Sequence, residues 1–168
     1  MTVISDTNRR LYPYSIKHVI INLSTCIELL IKFRLLEEHW AFLFDDIDKA
    51  NEYNLETGDF VSVTFAQGIE RLKNLCGIDK QKYFTASKEL QKYRNRIVHF
   101  TLSDDWAFIL KSIVGAIIDI QNFTHNEIIP YIENNDAVKE IESDLTELSM
   151  FQNALQAIVI KNEPNYSE

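Results

Sequence analysis

Only four Gly and three Pro punctuate this chain of 168 residues, and that scarcity limits its fold more than any motif does. A sandwich or barrel of many short strands needs turn signals at short intervals, whereas long helices need few. Apolar spacing agrees. From Ser15 to about Trp40, Ile16, Ile20, Leu23, Ile27 and Leu30 recur every three or four residues, and Val19, Ile31 and Phe33 widen the same face. This predicts a first helix that starts near Pro13 and Ser15, after a polar arm of residues 1–12. Opposite runs a polar stripe of His18, Asn22, Thr25, Glu28 and Lys32, to be read either as the wet side or as a subunit contact or site.

Residues 45–63 carry the weakest helical pattern, and Asn54 to Asp59 hold turn residues. They predict a long loop, with Phe60 to Val63 extended. Thr64 and Gln67 match a capping box and Gly77 a stop, so a second helix lies between them with Phe65, Ile69, Leu72 and Cys76 inward. A third is predicted from about Lys80 to Phe100, on a core stripe of Tyr83, Ala86, Leu90, Tyr93 and Ile97. Ser103, Asp104 and Asp105 suit the start of a fourth, which buries Trp106, Leu110, Ile113, Ile117 and Ile120 and kinks or ends at Pro130. Asn134 and Asn135 mark a turn. A fifth helix follows, with Val138, Ile141, Leu145, Leu148, Leu155 and Val159 near a heptad period, before a loose tail from Asn162. The expected fold is all-α: one domain over 1–168, an antiparallel bundle of about five helices with one long loop between the first and second. With 46% hydrophobic residues the chain can fill one sizeable core.

No apolar run approaches the roughly 18 residues of a membrane span, and Met1 to Leu11 lack the apolar centre of a signal peptide. The expectation is a cytoplasmic protein with no membrane partner. Cys26 and Cys76 lie far apart within helical patterns and read as reduced packing residues. His18, His39 and His125 have no ligand-type spacing, and Asp45, Asp46 and Asp48 lack the Gly and closing Glu of a calcium loop, so no metal site and no cofactor are expected.

The formal net charge of -8 argues against a general polyanion binder, because phosphate affinity comes largely from Lys and Arg. Its distribution is uneven. Lys80, Lys82, Lys88, Lys92, Arg94 and Arg96 stand against Glu89 alone, while from Thr101 onward 12 acids face three Lys. Such a basic segment is either a solvated face or a local anion site.

Within that segment lies Tyr93-Arg94-Asn95-Arg96-Ile97-Val98-His99-Phe100. On a helix Lys88, Lys92, Asn95 and His99 project away from the core stripe, Asn95 and His99 one turn apart, with Arg94 flanking on a long side chain. An imidazole that titrates near neutrality can take the proton from a ribose 2'-hydroxyl, and a guanidinium can hold the phosphate as negative charge builds. Such a pair needs no metal.

The segment resembles the Arg-x-x-x-x-His motif of the HEPN superfamily (higher eukaryotes and prokaryotes nucleotide-binding), in which the Arg is typically followed by Asn, Asp or His. A similar wider pattern spans roughly Ser15 to Tyr131, with Glu28 and Lys32 in the first helix, but only the motif is specific. The resemblance implies a homodimer whose motif helices face each other, and a metal-independent endoribonuclease acting as a bacterial toxin or antiviral defence component. Arg94 would bind the phosphate, Asn95 would orient it or the histidine, and His99 would move the proton. Lys88, Lys92 and Arg96 would guide the RNA backbone. Where many toxin members carry a Tyr two positions after the histidine, modified by a cognate antitoxin, this chain has Thr101, which puts that mode of control in doubt. The alternative implied by the same family is a non-catalytic module for dimerisation or for nucleotide or RNA binding.

Overall fold

The computed structural model describes residues 6–99 and 106–161, with side chains placed at 15–79, 81–97 and 107–160. Its helices are α1 (Asp6–Glu38), α2 (Glu52–Thr57), α3 (Phe65–Cys76), α4 (Lys80–Tyr83), α5 (Thr85–His99), α6 (Trp106–Phe123) and α7 (Asn135–Lys161), with no strand among the described residues. Five are long and α2 and α4 are one-turn elements, so the fold is the all-α bundle that the spacing predicts. Ile20, Ile27, Ile31 and Leu35 of α1 are essentially inaccessible and meet Leu72 of α3, Leu90 of α5 and Ile113 and Ile117 of α6 in one core. The inner faces predicted for the second, fourth and fifth helices are found at Ile69, Leu110, Ile120, Leu145 and Val159, all buried.

Several boundaries differ from expectation. Residues 6–12 belong to α1, and Pro13 lies inside it. A proline costs least in a first turn, which is why it reads as a start, yet here it removes one donor from the ladder near the end of a 33-residue helix. The long loop contains 3-10 turns at Trp40–Leu43 and Ile47–Lys49 as well as α2. The predicted turn at 54–59 is instead mostly helix: Gly58 closes α2 at φ 72°, and the Asn51 side chain starts it by accepting from the Asn54 amide at 2.9 Å. The extended stretch at 60–63 is realised as a single antiparallel bridge between Phe44 and Ser62. Arg71 of α3 pins the loop by donating to the carbonyls of Phe42, Phe44 and Asp45.

The third helix is broken at Phe84. Tyr83 and Phe84 are consecutive, yet both are fully buried against Phe123, with ring centroids 5.6 and 5.0 Å away. A continuous helix would turn two such neighbours about 100° apart; the bend lets both enter the core. Beyond α6 the chain passes through a π-turn at Thr124–Ile128 and a 3-10 turn containing Pro130, and Asn134 caps α7 by accepting from the amides of Asp136 and Ala137.

One segment, Ala107–Tyr131, does have the length and apolarity of a membrane span, with a mean hydropathy of 1.3, contrary to the expectation of none. Over half of it is buried in the bundle, and that core position accounts for its composition. Cys76 packs against the core as expected. Cys26 does not: it keeps exposed surface at the mouth of a shallow groove with Leu29, Leu30, Phe33 and Ile132, although the apolar groups crowding its thiol displace enough water to push the pKa up.

Candidate functional site

The basic motif lies on α5, and three interactions fix that helix. Ser87 at its start is fully buried, and its backbone N–H and hydroxyl both donate to the Asp119 carboxylate of α6 at 2.7 and 2.9 Å. This acid therefore caps α5 from a neighbouring helix, where the exposed amides and the dipole favour negative charge. Burial nevertheless pushes the Asp119 pKa up, against the Ser87 hydrogen bonds that lower it. One turn on, Gln91 is buried and donates to the Ser24 carbonyl of α1 at 3.2 Å. The third interaction is steric. Gly115 of α6 leaves so little room that a Cβ there would stand 2.6 Å from the Ala86 Cβ.

With Leu90 buried and Tyr93 and Ile97 packed on the core, the opposite side of α5 faces water. Lys92, Asn95 and Arg96 are exposed, whereas Lys88 and Arg94 are half-buried. The Lys92 ammonium pairs with Glu89 at 2.7 Å, and the Arg96 guanidinium stands 5.8 Å from the centre of the Tyr93 ring. Arg94 donates from Nη1 to Asn95 Oδ1 at 3.1 Å. Five residues on a helix are about 140° apart around the axis, so positions 94 and 99 do not share a face, whereas 95 and 99 differ by only about 40°. The Arg94–Asn95 hydrogen bond draws the guanidinium off its own azimuth toward the side on which position 99 falls. His99 is the last residue of α5; its side chain lies outside the described residues, as do Thr101, Ser103, Asp104 and Asp105.

Of the residues singled out in the sequence, the structure thus joins Arg94 to Asn95 and sets Lys92, Asn95 and Arg96 at the surface of one helix. His18, Asn22 and Thr25 of the polar stripe on α1 are exposed, and Lys32 of the same stripe donates to the Ser62 hydroxyl at 2.9 Å. Among the described residues no three His, Cys, Asp or Glu side chains cluster in a way that could hold a metal ion.

Sequence reasoning missed Ser87, Asp119 and Gly115, the residues that position the motif helix. One signal was there: Asp119 is the lone acid between Trp106 and Phe123, in a run otherwise almost wholly apolar. Buried acids in such runs are usually paired. No family model, curated protein or solved structure matches this chain.

Proposed function

We propose that this chain is a metal-independent endoribonuclease of HEPN type. The observation that carries the reading is the hydrogen bond between Arg94 and Asn95 on the outer side of α5, one turn before His99. It supports the guanidinium and the imidazole reaching a common phosphate, with residues from two subunits completing the cleft. In that site His99 takes the proton from a ribose 2'-hydroxyl. The freed oxygen attacks phosphorus, and the bond to the 5'-oxygen breaks, leaving a 2',3'-cyclic phosphate and a 5'-hydroxyl. The proton returns to the leaving oxygen from an imidazolium of the same cleft. Arg94 offsets the charge that builds on the non-bridging oxygens, and Asn95 holds Arg94 in reach. DNA has no 2'-hydroxyl and should survive.

The test is cleavage of total RNA and tRNA in EDTA. His99→Ala and Arg94→Ala should each abolish it while leaving helicity unchanged. Wild-type protein that cuts nothing, or cutting that persists in His99→Ala, would remove the basis of the proposal.

The net charge of -8 favours a second reading, in which the same helix face binds a partner or a nucleotide without turnover. Growth inhibition on expression that disappears with His99→Ala separates the two.

A further inference from the structure

An exposed phenylalanine signifies little alone, but the neighbours of Phe108, which is 63% exposed on α6, give its ring a use. Two contacts set how α6 lies on α5. Gly115 passes close to Ala86 and the Asp119 carboxylate meets Ser87, while the short connection between His99 and Trp106 makes the two helices antiparallel. Phe108 is seven residues before Gly115, on nearly the same face of α6, and Tyr93 is seven residues after Ala86, on nearly the same face of α5. Both positions therefore come to one level of the bundle, on the facing sides of neighbouring helices. Tyr93 is half-buried and packs on the core, whereas Phe108 leaves most of its surface to water.

Between Phe108 and the motif stands a cation. At about 100° per residue, position 99 lies about 140° around α5 from Ala86, and Arg96 lies about 80° from Ala86 in the same direction. Arg96 is thus between the α6 side of α5 and the side on which position 99 falls, and its guanidinium is 5.8 Å from the centre of the Tyr93 ring. A second subunit seated over position 99 would leave Phe108 at the rim of the cleft. Charge points to what the ring meets there. Among the described residues of α5 and α6, Lys88, Lys92, Arg94, Arg96 and Lys111 stand against one exposed acid, Glu89, which pairs with Lys92. On a chain of net charge -8 such a strip draws an anion locally. A ligand that is flat, aromatic and strung on phosphates suits both features, since every base of a single strand offers a π-face. The bases of a duplex are already stacked on one another and offer none.

We propose that Phe108 is a stacking platform for one unpaired base of a single-stranded RNA, with Arg96 beside that base and a phosphate of the same strand at Arg94 and Asn95. The inference rests on the reading of α5 as the RNA-cleaving face. It adds the element that selects unpaired RNA without choosing among bases, because stacking is open to all four.

Binding of the full chain to a 2'-O-methyl RNA oligonucleotide, followed by fluorescence anisotropy, tests it; this probe keeps bases and phosphates but has no 2'-hydroxyl to react. Phe108→Ala should weaken binding about fivefold to a hundredfold, the loss of one stacked base, with the salt slope and helicity unchanged. Phe108→Trp should bind as tightly as the wild type. Phe108→Leu, which keeps apolar bulk without a π-face, should bind as weakly as the alanine variant. In a set of oligonucleotides that each lack one base, one removal should weaken wild-type binding by the same factor and leave Phe108→Ala unaffected.

Phe108→Ala that binds like the wild type, Phe108→Leu that keeps full affinity, or base removals that weaken both proteins alike would overturn the proposal. So would a Phe108→Ala variant with a lower sedimentation coefficient, because protein would then cover the ring. The two readings fail separately. A protein that cuts RNA but whose affinity ignores Phe108 loses only the platform, and one that binds through Phe108 yet cuts nothing loses only the catalysis. A wild type that binds no oligonucleotide overturns both.

Discussion

The Asp119 carboxylate accepts both hydrogen bonds that Ser87 can donate, from its backbone N–H and its hydroxyl. Asp119→Ala would leave two buried donors unpaired and should cost about 2–3 kcal/mol, read from denaturant unfolding. Asp119→Asn keeps an acceptor and should cost much less. The pH dependence has a definite sign. Burial raises this carboxyl above its ordinary value, so in the window just above that value the folded state holds the proton more tightly than the unfolded state. Stability contributed by the protonated acid is therefore lost as pH rises through the raised pKa. Relative to Asp119→Asn, the wild type should lose stability as pH rises from the ordinary carboxylate range through the raised pKa; a gain over that rise would refute this account.

Gly115 should tolerate no side chain. Its missing Cβ is occupied space, 2.6 Å from Ala86, and the methyl group of an alanine cannot rotate away. Gly115→Ala is expected to cost about 1–3 kcal/mol by overpacking, despite the better helix propensity of alanine. Adding Ala86→Gly should recover part of the loss. Thermal melts of the single and double variants measure this, and equal melts for wild type and Gly115→Ala would contradict it.

Arg34 is 3% exposed, with its guanidinium 2.7 Å from the Glu38 carboxylate and 3.9 Å above the Tyr131 ring. It also donates to the Tyr131 hydroxyl at 2.6 Å, while its Nε has no hydrogen-bond partner. Removing a neighbour from a buried charge should cost more than removing one bond. Tyr131→Phe is expected to lose about 1 kcal/mol. Glu38→Ala is expected to lose about 1–3 kcal/mol, discounted because Glu38 is itself partly solvated. Urea titrations that rank the two the other way would show that the hydroxyl, not the countercharge, holds the arginine.

If α5 guides RNA, its outer cations should act on binding rather than on the chemical step. Lys88→Ala, Lys92→Ala and Arg96→Ala should each weaken binding to single-stranded RNA and lower the salt slope by about 0.7 for every phosphate no longer neutralised. Cleavage of bound RNA should change little. Fluorescence anisotropy at several salt concentrations checks the slope; slopes equal to wild type in all three variants would remove these residues from the binding face.

Those same cations were legible in the sequence because helical periodicity alone separates a core stripe from a polar face, and α5 has a clean one in Leu90, Tyr93 and Ile97. The capping box at Thr64 and Gln67 was equally local, and both of its reciprocal bonds are present. What could not be read is what depends on a second helix. Nothing near Ser87 announces that its N–H will be met by an acid 32 residues later, nor does Gly115 announce that Ala86 will approach it. The break at Phe84 is of the same kind, since it follows from two adjacent aromatics both finding room beside Phe123. The Arg94–Asn95 bond lies between neighbours, but the spacing of residues in a sequence does not say which rotamer a long arginine side chain takes.

Arg71 holds the segment before the Phe44–Ser62 bridge by its main-chain oxygens alone. A guanidinium that reads carbonyls is indifferent to which side chains pass beneath it. A change at the single position 71 would therefore release all three attachments together, while the Gln67 side chain would still donate to the Asp45 carboxylate.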